Sequence, residues 1–351
     1  MSVHYLNNAG TSWPKAPGVA EAVAEVLAAD PRSYAARYTE ARASIAGSLG
    51  AADSQRLWLT PGCTSALSVA VETMPWARGD VVVTSALEHE AVLSPIRRLQ
   101  ANAGVEHVAI GRASQGPLDL EQLSDTLARC PVRAVVMTAA SNVTGECLPI
   151  EAVVQRCREA DVRVIVDAAQ TAGLLRLHLE RLGADAVTVA GHKGPMAPQG
   201  VGALWLREGF ELPVGYCDLG SVDLPATVAM ARSLRWLEED APRGEHAVAL
   251  RNRLWAALAE REGCRVFGGP GSSTGAVSAV FDALSLAEAE ARFADAGVVV
   301  RAGRHCAPQA LATLGVPEGT VRFSFGRLND AVDIDAVLRV VDALGPPSNG
   351  S

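Results

Sequence analysis

Val162-Arg163-Val164-Ile165-Val166-Asp167-Ala168-Ala169-Gln170 decides the fold. Its opening is a nearly continuous β-branched apolar run, the composition of a strand covered on both faces in a parallel sheet. Similar short runs recur at 57–59, 81–84, 107–110, 134–138, 186–190 and 201–206, with apolar helical stretches between several of them. That βαβ rhythm predicts an α/β layer structure whose functional residues collect beyond the C-terminal ends of the strands. Past about residue 225 the rhythm changes. A helical stretch runs through Trp236 and another covers 246–260, followed by glycine-rich turns and strands near 276–281 and 298–301. The expected division is a large domain over 16–240 and a smaller α+β domain over 241–345 together with 1–15. Residues 346–351, Pro-Pro-Ser-Asn-Gly-Ser, lack apolar content and are expected to fray.

Composition narrows the functional classes. The chain has 351 residues, a net charge of −8 and 49% hydrophobic residues, enough for two domains and a sizeable core. The acidic balance argues against nucleic acid or an anionic membrane as partner, since both are themselves anionic. No charged leader precedes an apolar segment and nowhere do 18 apolar residues run together, so a cytoplasmic location is expected. The seven cysteines are odd in number and widely spaced, without a CxxC pair or a Cys/His cluster. Neither a disulfide framework nor a metal site is predicted.

The reactive residues are few. Only two lysines occur, Lys15 and Lys193, against 29 arginines. Arginine serves for surface charge but cannot lose a proton to attack a carbonyl, so an isolated lysine invites a covalent role. Lys15 lies in a proline-flanked turn and reads as solvated. Lys193 follows the apolar strand 186–190 in Gly191-His192-Lys193-Gly194. Asp167 ends its own strand 26 residues earlier. An unpaired carboxylate at a sheet edge is costly; it is either a helix cap or ion pair, or the partner of a protonated heteroaromatic nitrogen. An Asp of that second kind followed by a lysine is what a pyridoxal phosphate site needs. The turn Thr60-Pro61-Gly62-Cys63-Thr64-Ser65 leads from a strand into a helix. It is either an ordinary turn or a phosphate cup of free N–H groups. A third cluster is Arg301-Ala302-Gly303-Arg304-His305-Cys306. Its positive charge is expected to lower the Cys306 thiol pKa and raise the thiolate fraction.

From Tyr5-Leu6-Asn7-Asn8-Ala9-Gly10 to Val321-Arg322-Phe323-Ser324-Phe325-Gly326, the ordered motifs resemble the class V aminotransferase group, and within it the cysteine desulfurases and selenocysteine lyases. The resemblance implies a fold-type I architecture, with a seven-stranded mostly parallel sheet and a smaller C-terminal domain, and pyridoxal 5'-phosphate as cofactor. It implies Lys193 as the Schiff-base lysine and Cα proton carrier, with Asp167 on the ring nitrogen. Gln170 and Asn142 become donors to the ring's phenolic oxygen, and His89 stacks on the ring and serves as acid or base toward the substrate thiol. Thr64 and His192 become phosphate ligands, with Cys63 beside them in the pocket. Gly220-Ser221 resembles a pair reaching the phosphate of a neighbouring subunit, which implies a homodimer. Arg322, with Asn8, is placed at the substrate, its fork on the α-carboxylate, and Cys306 resembles the nucleophile that carries a persulfide. The implied reaction converts L-cysteine, or a related sulfur amino acid, to alanine and passes sulfur to an acceptor protein. A C–S lyase, a transaminase and an inactive cofactor-binding scaffold are the alternatives. Two departures stand out: Ala190 replaces a usual Ser or Thr, removing a phosphate hydrogen bond of about 1.5–3 kcal/mol, and the segment from Trp205 to Gly220 is shorter than its counterparts.

Overall fold

The computed structural model describes residues 3–212, 222–239, 244–271 and 273–344. Strand β1 is His4–Tyr5. Then come β2 (Leu57–Thr60), β3 (Val81–Ser85), β4 (Glu106–Ile110), β5 (Val132–Thr138), β6 (Arg163–Asp167), β7 (Ala186–Ala190) and β8 (Gly202–Leu206). The later strands are β9 (Cys264–Phe267), β10 (Ala276–Phe281), β11 (Val298–Val299), β12 (Arg301–Gly303) and β13 (Thr320–Ser324).

Strands β2 to β8 form one seven-stranded sheet in the order β2-β8-β7-β6-β5-β3-β4. Strand β8 runs antiparallel to both its neighbours, and the remaining pairings are parallel. Because successive side chains point to opposite faces, each apolar run feeds two cores at once. Val164 and Val166 enter one and Ile165 the other; Val187 and Val189 are likewise separated from Ala186 and Ala190. Helices cover both faces, which is why these strands read as unbroken apolar runs.

Strands β9, β10, β12 and β13 form a second, antiparallel sheet in the order β12-β13-β10-β9. The stretch expected as one strand near 298–301 is two short pieces, with Val300 between them. A third core gathers Leu6, Leu250, Leu254, Phe293, Phe323 and Val337. The N-terminal segment joins it because β1 pairs in parallel with β11, and because Ser324 N donates to Leu6 O at 2.7 Å. Residues 345–351 and Gly220-Ser221, with the second half of the shortened segment, lie outside the described residues.

Two glycines bring the site's backbones together. A Cβ on Gly194 would sit 2.2 Å from Ala172 O, and one on Gly173, at φ +74°, would sit 2.4 Å from Pro195 N. The turn after Asp167 and the turn carrying Lys193 therefore pack main chain against main chain, which a side chain at either glycine would prevent.

Candidate functional site

Strands β2, β3, β5, β6 and β7 all point the same way, so their C-terminal ends open onto one edge. Cys63 and Thr64 follow β2, His89 follows β3, Asn142 follows β5, Asp167 ends β6, and His192 and Lys193 follow β7. Facing them from the second sheet are Arg322 on β13 and Cys306, shortly after β12. The edge of a parallel sheet is where such folds bind ligands.

Lys193 is partly buried at the cavity wall, and desolvation there pushes its amine pKa down; the charge of Asp167 pulls it back up, as do Cys63 and Cys306. His89 lies within the same field: burial, then Lys193, lower its pKa to about 4, with Asp167 opposing. Its Nδ1 accepts the Ala91 N–H at 3.0 Å, capping the helix Glu90–Ala103. An accepting Nδ1 carries no proton, so the neutral ring keeps its hydrogen on Nε2. Arg322 is 4% exposed, and burial lowers its pKa to about 10, with the Cys306 thiol acting in the opposite direction. Lys193, Asp167, His89, Arg322 and Cys306 thus share one electrostatic neighbourhood.

Several buried polar atoms there lack partners among the described residues. Asn142 Oδ1, Arg322 Nε and His192 Nδ1 are buried and unbonded, and such atoms in a well-packed protein call for a ligand or water. Asp167 Oδ1 accepts from Ala169 N at 2.8 Å and from the Cys63 thiol at 3.2 Å, while its other oxygen has no protein donor among the described residues. The helix Cys63–Glu72 starts at Gly62 with no side-chain cap, leaving its first N–H groups to an anion, and Thr64 is exposed in its first turn. An amine, a free carboxylate oxygen and an anion cradle fit pyridoxal phosphate, so Lys193, Asp167, Thr64 and His192 are the residues that would hold it.

Other expected residues sit differently. Gln170 donates its amide to Ala9 O at 3.1 Å, and Asn142 donates to His305 O at 2.8 Å. Asn8 lines the cavity beside Lys193, but its amide is engaged by Ser324 O at 3.0 Å and Asn329 Oδ1 at 3.1 Å. Its neighbour Asn7 is the one that touches Arg322, accepting from Nη2 at 3.1 Å, while Nη1 donates to Asn142 O at 3.0 Å. Lys15 is not a freely solvated lysine. It is half-buried, donates to Thr11 Oγ1, Ser12 Oγ and His192 O at 3.1–3.2 Å, and burial lowers its pKa to about 8. The rarity of lysine pointed at both lysines; the folding back of residues 11–15 onto His192 was invisible in the local sequence.

The charge expected around Cys306 is also redistributed. The His305 ring is buried and bonded through Nε2 to Thr320 O and Oγ1, and burial drops its pKa to about 3, so it is a neutral imidazole. Arg304 is largely exposed and pairs with Glu318 at 3.6 Å. The cations whose fields reach the thiol from the buried side are Lys193 and Arg322. Cys306 itself is exposed. It and His305 both have φ of 51°, a left-handed backbone that side chains disfavour. The loop is held there by Asn142 on His305 O and by Glu90 N donating to Cys306 O at 2.8 Å.

Glu88, which sequence reading passed over, is fully buried between β3 and β5. It accepts from Ser85 N at 3.2 Å and from Thr138 N at 2.9 Å, tying together the strand ends that lead to His89 and Asn142. Burial raises its pKa from 4.5 to about 8. Between those values the folded chain keeps a proton that the unfolded chain has released, so this group's contribution to stability falls as pH rises through that window. The limiting slope for one proton is about 1.4 kcal/mol per pH unit. Denaturant unfolding over about pH 5 to 8 is expected to show a flatter decline for Glu88→Gln than for the unaltered protein; equal slopes would refute the assignment.

From residue 5 to residue 337 the chain matches the family model described as Aminotransferase class-V. A probable cysteine desulfurase of Pseudomonas aeruginosa is 30% identical over 334 residues, covering 87% of this chain and 82% of that protein. The cysteine desulfurase CsdA of Escherichia coli is 28% identical over 343 residues, covering 90% and 84%. Among solved structures, the apo cysteine desulfurase from Thermococcus onnurineus superposes with a TM-score of 0.90 at 25% identity, covering 97% of this chain and 94% of that one. The structure of CsdA in an S-sulfonic acid form has a TM-score of 0.89 at 24% identity and the same coverage, a likeness of fold.

Proposed function

Because the chain belongs to the class V aminotransferase family, we propose that it is a pyridoxal phosphate-dependent cysteine desulfurase, converting L-cysteine to L-alanine and leaving the sulfur as a persulfide on Cys306. The observation that carries this reading is the exposed thiol of Cys306 within the electrostatic reach of Lys193 and the buried Arg322. A transaminase has no need of a thiol at that position.

When bound, the cofactor supplies an electron sink for the bond changes at the substrate's Cα and Cβ. Lys193 Nζ holds it and, with its pKa lowered by burial, carries the Cα proton. Asp167 presents its free oxygen to the ring nitrogen. Thr64 and His192 take the phosphate, with Ser221 of a second subunit completing a homodimer's site, and Gln170 and Asn142 serve the phenolic oxygen through the second amide hydrogen each keeps beyond its bond to Ala9 O or His305 O. His89 offers its Nε2 proton toward the substrate sulfur. Arg322 grips the substrate carboxylate, its orphaned Nε being the free donor, and Asn8 lines the approach to Lys193. Cys306 gives up its thiol proton as Sγ forms an S–S bond with the substrate sulfur and the Cβ–S bond breaks; the sulfur is oxidised to the persulfide level, and Cβ, taking up a proton, is correspondingly reduced to the methyl of alanine. No outside oxidant is required. A protein acceptor then takes the sulfur from the exposed loop, in the reducing cytoplasm where such a thiol survives. A large domain over 16–240 and a smaller one over 241–345 with 1–15 is supported by the separate third core. Among the described residues no helix is long and apolar enough to cross a membrane.

Incubating the cofactor-loaded protein with L-cysteine and reductant tests the reading: alanine and sulfide in equal amounts are expected. Pyruvate in place of alanine would make it a lyase and overturn the proposal.

A further inference from the structure

Cys63 was expected only beside the phosphate ligands, yet its side chain touches the site's central carboxylate. It is the first residue of the helix Cys63–Glu72, 7% exposed, with Sγ 3.2 Å from Asp167 Oδ1 and 3.0 Å from Thr188 Oγ1. Thr188 is the middle residue of β7 and is fully buried. The carboxylate accepts only, so the thiol hydrogen belongs to Asp167; the Thr188 hydroxyl has one hydrogen for two acceptors, Sγ at 3.0 Å and Val166 O at 3.4 Å, and the shorter contact is to sulfur. The result is a relay in which Thr188 O–H feeds Cys63 and Cys63 S–H feeds Asp167, each bond polarising the next.

The second donor on the same oxygen is the backbone N–H of Ala169 at 2.8 Å. Two donors on Oδ1 fix the plane of the carboxylate and leave the other oxygen directed away from them. Of the two, the backbone donor is invariant to side-chain substitution. The thiol is the adjustable one.

We propose that Cys63 is a positioning residue for the reaction: its S–H holds Asp167 in the orientation that meets the cofactor's ring nitrogen and draws off part of the carboxylate's charge. This rests on the reading of Asp167 as the partner of that nitrogen. Burial first, and the Asp167 charge second, push the Cys63 thiol pKa well up, so the sulfur keeps its hydrogen across the working pH range. Cys306, by contrast, is exposed.

Four proteins test it: wild type, Cys63→Ser, Cys63→Ala and Cys63→Val. Serine keeps a donor, valine keeps bulk without one, and alanine keeps neither. Cofactor affinity, followed by the visible absorbance of the bound form, is expected to weaken about fivefold in the alanine and valine proteins, the scale of one modest hydrogen bond, and to recover in the serine protein. Infrared difference spectra of wild type minus Cys63→Ser isolate this thiol: its S–H stretch is expected below the frequency of a free thiol, and to rise when pyridoxal phosphate binds and shares the Asp167 charge. A free-thiol frequency in the cofactor-free protein, or equal affinity in all four proteins, would overturn the positioning role while leaving the enzyme assignment intact. Recovery by valine and not by serine would assign Cys63 to packing and overturn the role equally. A wild type that takes up no pyridoxal phosphate would sink the functional reading itself, and this one with it.

Discussion

Cys306→Ala is expected to lower alanine and sulfide production from L-cysteine by about three orders of magnitude or more, the scale seen when a covalent nucleophile is removed. The size follows from how the thiol is presented. Among the described cysteines it alone is exposed; Cys63 and Cys157 are buried, and Cys130, Cys147 and Cys264 are partly so. Burial raises the pKa of Cys157 to about 12 and of Cys264 to about 11, which leaves them protonated and inert. No neighbour can substitute. The left-handed backbone at His305 and Cys306 is fixed from the large sheet by Asn142 and Glu90, so a thiol on another loop has no route into the same place. Because Cys306 is not among the residues that hold the cofactor, the variant is expected to load pyridoxal phosphate normally. Cleavage at the wild-type rate would rule out a persulfide on this residue.

Lys193→Ala is expected to remove turnover altogether, by at least about four orders of magnitude, and to lose the cofactor on gel filtration, since the covalent hold and the proton carrier go together. Lys193→Arg is the sharper variant. It keeps the positive charge that Asp167 and Cys306 face, yet a guanidinium neither forms the link nor gives up a proton. Both variants are expected to be inactive, with arginine keeping more of the fold's stability because Asp167 still has a cation in reach. Turnover in the arginine protein above a few per cent of wild type would show that Lys193 acts only through charge.

Most of the large sheet was legible because each strand is buried on both faces, and apolar runs of that length have few other uses. The reversed direction of β8 was not, since Gly202–Leu206 is as apolar as its parallel neighbours and nothing local marks its polarity. The ordered motifs carried Lys193, Asp167, His89 and Cys306 to one edge. Charge counting along the chain failed at His305, where the presence of Arg301, Arg304 and His305 within five residues suggested a cationic cluster. Burial against Thr320 decided the matter instead, and made the ring neutral. Asn7 and Lys15 were missed for another reason: their partners are Arg322 and His192, 315 and 177 residues away. Glu88 carried a fainter signal, a carboxylate three residues past an apolar strand and directly after Ala86-Leu87, whereas Asp167 ends its strand.

Those long separations also set the order in which the site can be assembled. During synthesis, residues 4 to 15 emerge first, but β1 has no strand to pair with until Val298–Val299 exist, and Ala9 N waits for Ser324 Oγ across a separation of 315 residues. His4 meets Asp333 only after 329. The large sheet can close on its own local connections in the meantime, whereas the Asn7–Arg322 contact is among the last to form. Late closure of distant contacts is the slow part of folding, so Arg322 is expected to be among the last residues to reach the Lys193 pocket.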